Sequence, residues 1–209
     1  MTGYPPEPWE LAGEARVSMW RLPVDELPAL PDGAEPVVLA GHASVFTAWI
    51  DYLPPGRLSY HELLAAVAVH GRGLAASITQ IWVDSEVSRD GGRELWGIPK
   101  DLASLGFTGG RTFTAATADD WIATAAFTPR AGLPVAVPAR FEIAQTLDGR
   151  LARTPVRWRA KPHAAAADWS VNPRGALGYL ARHRPVASAA LRGFTLRFGP
   201  GDRSTSRSG

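Results

Sequence analysis

With 209 residues and 45% hydrophobic content, the chain is long enough to bury a core, and its length suits one domain. A formal net charge of +2 is too small to mark a nucleic-acid binder, and no basic stripe interleaves with aromatics. With no cysteine, disulfides and thiolate metal sites are excluded; with no basic-then-apolar leader and no apolar run of spanning length, a soluble cytoplasmic protein with no membrane partner is expected.

Proline and glycine punctuate short apolar segments rich in β-branched and aromatic residues, a pattern that favours strands. The first ten residues hold Pro5, Pro6 and Pro8 and should be extended, packed through Trp9. Strands are expected over Arg16 to Leu22, Val37 to Ile50, and Leu74 to Val83. Tyr60 to His70 is ambiguous, since its apolar run suits either a buried helix or a fully buried strand. Ser85 to Leu95 reads as a helix, capped by Ser85 and followed by Glu86. Further strands are expected over Thr112 to Ala118, Trp121 to Thr128, Arg140 to Leu147, Thr154 to Ala160 and Leu191 to Phe198, with a hairpin turn at Ala118-Asp119-Asp120. The arginines around Trp158, from Arg150 to Lys161, read as a solvated strand face. Two helical turns are expected over Ala176 to His183. Residues 1–199 should form one domain and residues 200–209, polar and repetitive, a disordered tail.

The segment Gly91 to Lys100, Gly-Gly-Arg-Glu-Leu-Trp-Gly-Ile-Pro-Lys, holds one of only two lysines, directly after a proline. Pro99 fixes its own φ and pushes Ile98 toward an extended conformation, so Lys100 leaves a stiff backbone. Trp96, Ile98 and Leu102 can supply apolar walls. A lysine at its reference pKa of about 10.4 is neutral in only about one molecule in a few thousand at pH 7. Desolvation can lower that pKa by up to about 3 to 5 units, which would make a buried Lys100 an amine nucleophile. A structural lysine that snorkels or pairs with a carboxylate such as Asp101 is the alternative.

The run Gly92-Arg93-Glu94-Leu95 to Pro99-Lys100, preceded by Tyr60-His61-Glu62 and Trp82-Val83-Asp84, resembles the acetoacetate decarboxylase family. Its specific part covers about residues 58 to 105. The resemblance implies a mainly β fold, a closed or cone-like antiparallel β-barrel with short flanking helices, in which Tyr60 to Val69 is a buried strand. It also implies a buried cavity, homo-oligomers and no cofactor, with Lys100 as the Schiff-base lysine and Glu62 as the active-site glutamate. In the family chemistry a neutral amine adds to a ketone and loses water, and the resulting protonated imine accepts the electrons released as carbon dioxide leaves. Around that centre, Tyr60, Arg93, Glu94 and Trp96 are candidates for substrate contact; for Arg93 and Glu94 a structural ion pair is the alternative.

The chain departs from the decarboxylase pattern at two places. Asp101 replaces a second lysine, and an anion beside Lys100 would raise its pKa unless an extended backbone turns it away. Gly13 or Glu14 falls where the decarboxylase has an arginine, and Arg16 comes a few residues late, leaving a substrate carboxylate without its anchor. Lineages with this fold also include members that carry out aldol, dehydration or hydration steps. The expectation is therefore a lyase acting on a keto acid or polyketide-like carbonyl compound. A non-decarboxylating aldolase, dehydratase or cyclase of specialised metabolism, or a non-catalytic ligand-binding module, remains open. The five histidines show no metal-binding spacing, and His61, beside Glu62 on a strand, would face the other way.

Overall fold

The computed structural model describes residues 3–200. Twelve strands form one sheet: β1 (Trp9–Pro23), β2 (Val38–Leu39), β3 (His42–Tyr52), β4 (Tyr60–Ala68), β5 (Ala75–Val83), β6 (Lys100–Leu102), β7 (Ser104–Thr108), β8 (Thr112–Ala116), β9 (Trp121–Gly132), β10 (Val137–Leu147), β11 (Arg150–Val171) and β12 (Ala187–Phe198). One α-helix, α1 (Glu86–Trp96), interrupts them. Seven strands close a ring in the order β10, β5, β4, β3, β1, β12, β11 and back to β10. The ring is antiparallel except at β5, where β10 joins in parallel through Glu142 and Ile143. The short β6 pairs in parallel with the other end of the same β5 edge, Lys100 lying opposite Ile81.

From the second half of β11 the sheet continues through β9, β8 and β7, and the ring thereby gains a second core on its outer side. Alternation along the central strands feeds both cores. On β3, Val45 and Trp49 face an aromatic outer core with Trp20, Phe113 and Phe127, while Tyr52 faces the ring interior with Tyr60, Ile78, Ile81 and Ile98. On β4, Leu63, Ala65 and Val67 go outward, whereas Tyr60 and Ala66 go inward. Burial on both faces explains why β4 is an almost unbroken apolar run, and it settles that segment as a strand.

Some expected boundaries shift for local reasons. Val37 to Ile50 is not one strand: Ala40 and Gly41 both take positive φ (49° and 74°) and turn β2 back onto β3, as a two-residue hairpin loop requires. Ala176 to His183 is not two helical turns but a single 3-10 turn, Gly178–Leu180. Leu177 and Leu180, both buried, lie three residues apart, which the three-residue period of that turn satisfies. Trp9, 1% exposed, opens β1 well before the expected start at Arg16. Arg157, Arg159 and Lys161 lie exposed along β11. Of the expected tail, residues 201–209 lie outside the described residues. No helix among the described residues is long and apolar enough to cross a membrane.

Candidate active site

Helix α1 delivers Lys100 to the ring interior. Its start is capped by Ser85, whose hydroxyl accepts from the Ser88 N–H at 3.3 Å. It ends at Gly97, with φ of 65°, whose N–H bonds the Arg93 carbonyl, while the Ile98 N–H bonds that of Gly92. A side chain at Gly97 would lie 2.0 Å from the Thr146 carbonyl oxygen of β10, so glycine is required by space as well as by φ. Within the helix, a Cβ on Gly92 would sit 2.8 Å and 2.9 Å from Cδ and Cε of Lys100, and one on Gly91 would strike the Trp9 ring at 2.5 Å. Each glycine costs the helix about 1 kcal/mol relative to alanine; the lysine stem and the indole fill the space that their missing side chains leave.

The extended backbone at β6 then separates two neighbours. Lys100 points inward and is 4% exposed; Asp101 points outward and pairs with the Arg93 guanidinium. Arg93 Nε also donates to the Lys100 carbonyl at 2.6 Å, clamping the strand from outside. Inside, the Lys100 ammonium donates to Glu62 Oε2 at 2.7 Å, to Ser88 Oγ at 2.9 Å and to the Tyr60 hydroxyl at 3.3 Å. Glu62, 2% exposed, accepts a further bond from the Tyr52 hydroxyl at 3.1 Å. Tyr52 and Tyr60 lie opposite each other across β3 and β4 and stack at 4.4 Å.

Two opposing effects act on the Lys100 amine. Burial pushes its pKa down, but the Glu62 charge and the hydrogen bonds that the ammonium donates to Glu62 and Tyr60 more than offset it, and the net direction is up. The resting amine is therefore an ammonium, in a buried ion pair with Glu62. Asp101, the neighbour that the sequence makes suspect, is turned outward to Arg93, and burial does not set the pKa alone. Tyr60 is pushed up to about 12 by burial and by Glu62, and Tyr52 rises well above its ordinary value for the same two reasons, so both hydroxyls keep their protons.

The group opens on a cavity of about 120 Å³ bounded by Tyr52, Tyr60, Glu62 and Lys100 and otherwise by apolar side chains, Trp96, Ile98 and Phe141 among them. Of the residues proposed from sequence, Lys100, Glu62, Tyr60 and Trp96 come together at this cavity. Arg93 and Glu94 do not line it: Arg93 holds the outer side of β6, and Glu94 accepts from the Tyr4 hydroxyl at 2.7 Å. Ser88 and Tyr52 were not anticipated. His61 faces away from Glu62 and bonds Asp84 at 2.7 Å. Arg16 also faces away, opposite Trp49 of the outer core, its Nη1 donating to the Ala15 carbonyl at 3.1 Å.

The site thus sets a buried lysine against a buried carboxylate at the edge of an apolar cavity, and the sequence places the chain in a family. The acetoacetate decarboxylase family matches residues 2–169, and the chain belongs to it. No protein of curated function matches the chain. Among solved structures, the enduracididine biosynthesis enzyme MppR, crystallised with pyruvate, is similar with a TM-score of 0.69 at 18% identity, covering 95% of this chain and 91% of MppR. A second MppR structure, complexed with the condensation product of pyruvate and imidazole 4-carboxaldehyde, gives 0.68 at 19% identity over 94% of this chain and 89% of that one. The acetoacetate decarboxylase of Legionella pneumophila gives 0.68 at 17% identity over 96% and 88%.

Proposed function

We propose that the protein is a Schiff-base enzyme in which Lys100 forms an imine with a small carbonyl compound and Glu62 moves the protons. The observation that carries this reading is the buried Lys100 amine, 2.7 Å from a Glu62 oxygen, at the edge of an apolar cavity. Glu62 takes a proton from the ammonium, and the neutral amine adds to the carbonyl carbon. Glu62 returns the proton to the carbinolamine hydroxyl, which leaves as water, giving a protonated imine beside the Glu62 carboxylate. Tyr52 and Ser88 hold the two partners in place throughout. The protonated imine then accepts an electron pair from the adjacent carbon, released either by loss of carbon dioxide or by loss of a proton to Glu62. The second branch leads to condensation chemistry, and the similar MppR holds a condensation product of two carbonyl compounds.

The test is performed in deuterium oxide with acetoacetate and with simple ketones. Wild-type protein takes deuterium into the carbon beside the carbonyl, and Lys100→Ala does not. Carbon dioxide release from acetoacetate that depends on Lys100 assigns decarboxylation; deuterium uptake without it assigns the second branch. Neither activity with any carbonyl compound overturns the proposal.

A further inference from the structure

We infer that the substrate's reacting portion is an uncharged ketone or aldehyde and not a keto acid, an inference that rests on Lys100 being the imine-forming residue. The first ground is a charge count. The resting cavity holds one ammonium and one carboxylate, Lys100 and Glu62, in contact at 2.7 Å. Imine formation exchanges the ammonium for an iminium and releases water, so a neutral carbonyl compound leaves the pair balanced. A keto acid, such as the pyruvate seen in MppR, would add a second anion to a buried space with a single cation.

The second ground is that, among the described residues that line the cavity, none has a group free to receive that anion. Lys100 is the only cation among the described residues that line it. Arg93 is held outside β6, and Arg16 lies opposite Trp49 of the other core. The hydroxyl donors are committed as well: Tyr52 donates to Glu62 at 3.1 Å, and Tyr60 to the same carboxylate at 3.5 Å. The Trp96 indole donates to Glu7 at 2.9 Å and that of Trp9 to the Pro5 carbonyl at 2.9 Å. A carboxylate taken from water into such surroundings loses its hydration without replacement.

The third ground is size and lining. At about 120 Å³, with Ile78, Ile81, Ile98, Ile143 and Phe141 in its wall, the cavity is close to the apolar cavity of about 150 Å³ that takes up benzene. A branched or aromatic hydrocarbon arm of a few carbons fills it by burial alone. With no carboxylate to expel, the electron pair comes from the adjacent C–H bond. Its proton goes to Glu62, and the neutral enamine that results attacks a second electrophile or is reprotonated.

Shape-matched pairs test the inference. Acetoacetate and 4-methyl-2-pentanone differ in having a carboxylate or an isopropyl group at the same place, as do pyruvate and 3-methyl-2-butanone. Each is incubated with the wild-type protein and cyanoborohydride, and adducts are counted by peptide mass spectrometry at Lys100 and at Lys161, the exposed second lysine, which corrects for intrinsic electrophilicity. The expected Lys100-to-Lys161 ratio is at least tenfold higher for each neutral ketone than for its keto acid. Equal or higher ratios for the keto acids overturn the inference while leaving the imine reading intact. No Lys100 adduct with any of the four removes both.

Discussion

Glu62→Gln isolates the effect that decides the state of Lys100. Two unit charges 2.7 Å apart interact by about 6 kcal/mol at an effective dielectric constant of about 20. Burial of a lysine opposes this with a penalty of up to about 3 to 5 pKa units, each worth about 1.4 kcal/mol. The two are of similar size, so removing the Glu62 charge reverses the net direction: Lys100 moves from above its ordinary pKa to below it. Even a one-unit drop raises the neutral fraction at pH 8 about tenfold. Carbamylation by cyanate, small and reactive toward neutral amines, reads this out at Lys100 against Lys161 in the same molecule. Glu62→Gln is expected to raise the Lys100-to-Lys161 ratio at pH 8 by at least about tenfold, since a one-unit shift alone gives that factor. The stability profile must invert with it. In the wild type the raised Lys100 pKa gives a stabilisation that is full below the ordinary value of 10.5 and is lost as pH rises through the folded value above it. In Glu62→Gln the lysine is depressed, so the unfolded chain binds more protons and stability rises with pH toward 10.5. An unchanged carbamylation ratio together with a stability slope of unchanged sign would refute the reasoning.

Other perturbations separate the site's parts. Gly92→Ala places a methyl group 2.8 Å from the Lys100 stem and should cost about 1–3 kcal/mol of stability by overpacking, with loss of imine trapping at Lys100, measured by thermal denaturation and mass spectrometry. Asp101→Lys breaks the outer pair with Arg93 but leaves the cavity alone; the pH dependence of Lys100 carbamylation should not move, and stability should change by at most about 1 kcal/mol. Tyr52→Phe removes the 3.1 Å hydrogen bond to Glu62, a bond to a charged group worth about 1.5–3 kcal/mol, and should slow deuterium uptake roughly tenfold or more without unfolding the protein. The double variant Lys100→Met/Glu62→Gln, which replaces the buried pair with neutral groups, should be at least as stable as wild type in urea denaturation, whereas Lys100→Met alone strands Glu62 and should lose about 3–5 kcal/mol.

Lys100 stood out in the local sequence because Pro99 stiffens its approach, whereas Glu62 and Tyr60 came only with the family resemblance, since nothing local marked their segment as a strand; once it is one, both lie on the same face. The helix ahead of Lys100 was legible through its serine cap. The pKa logic was not, because the counter-charge belongs to a strand 38 residues away, while the carboxylate next in sequence, Asp101, points outward. Tyr52 carried a signal that went unused: the Pro54-Pro55-Gly56 loop marks a hairpin, and Tyr52 then faces Tyr60 across it. Ser88 carried little, since a serine one turn into a helix is ordinarily exposed, and only the packing of α1 against β6 brings it to the amine. The double core was visible only as an ambiguity, the apolar run of β4, because burial on both faces erases the alternation that identifies a strand.

Reductive trapping mapped to single residues tests the central claim most directly. After incubation with 3-methyl-2-butanone and cyanoborohydride at pH 8, an alkyl adduct is predicted on the peptide containing Lys100, well in excess of any on Lys161, and absent from folded Lys100→Ala protein. An adduct that favours the exposed Lys161, or one that persists in Lys100→Ala, would contradict the assignment of Lys100 as the imine-forming residue.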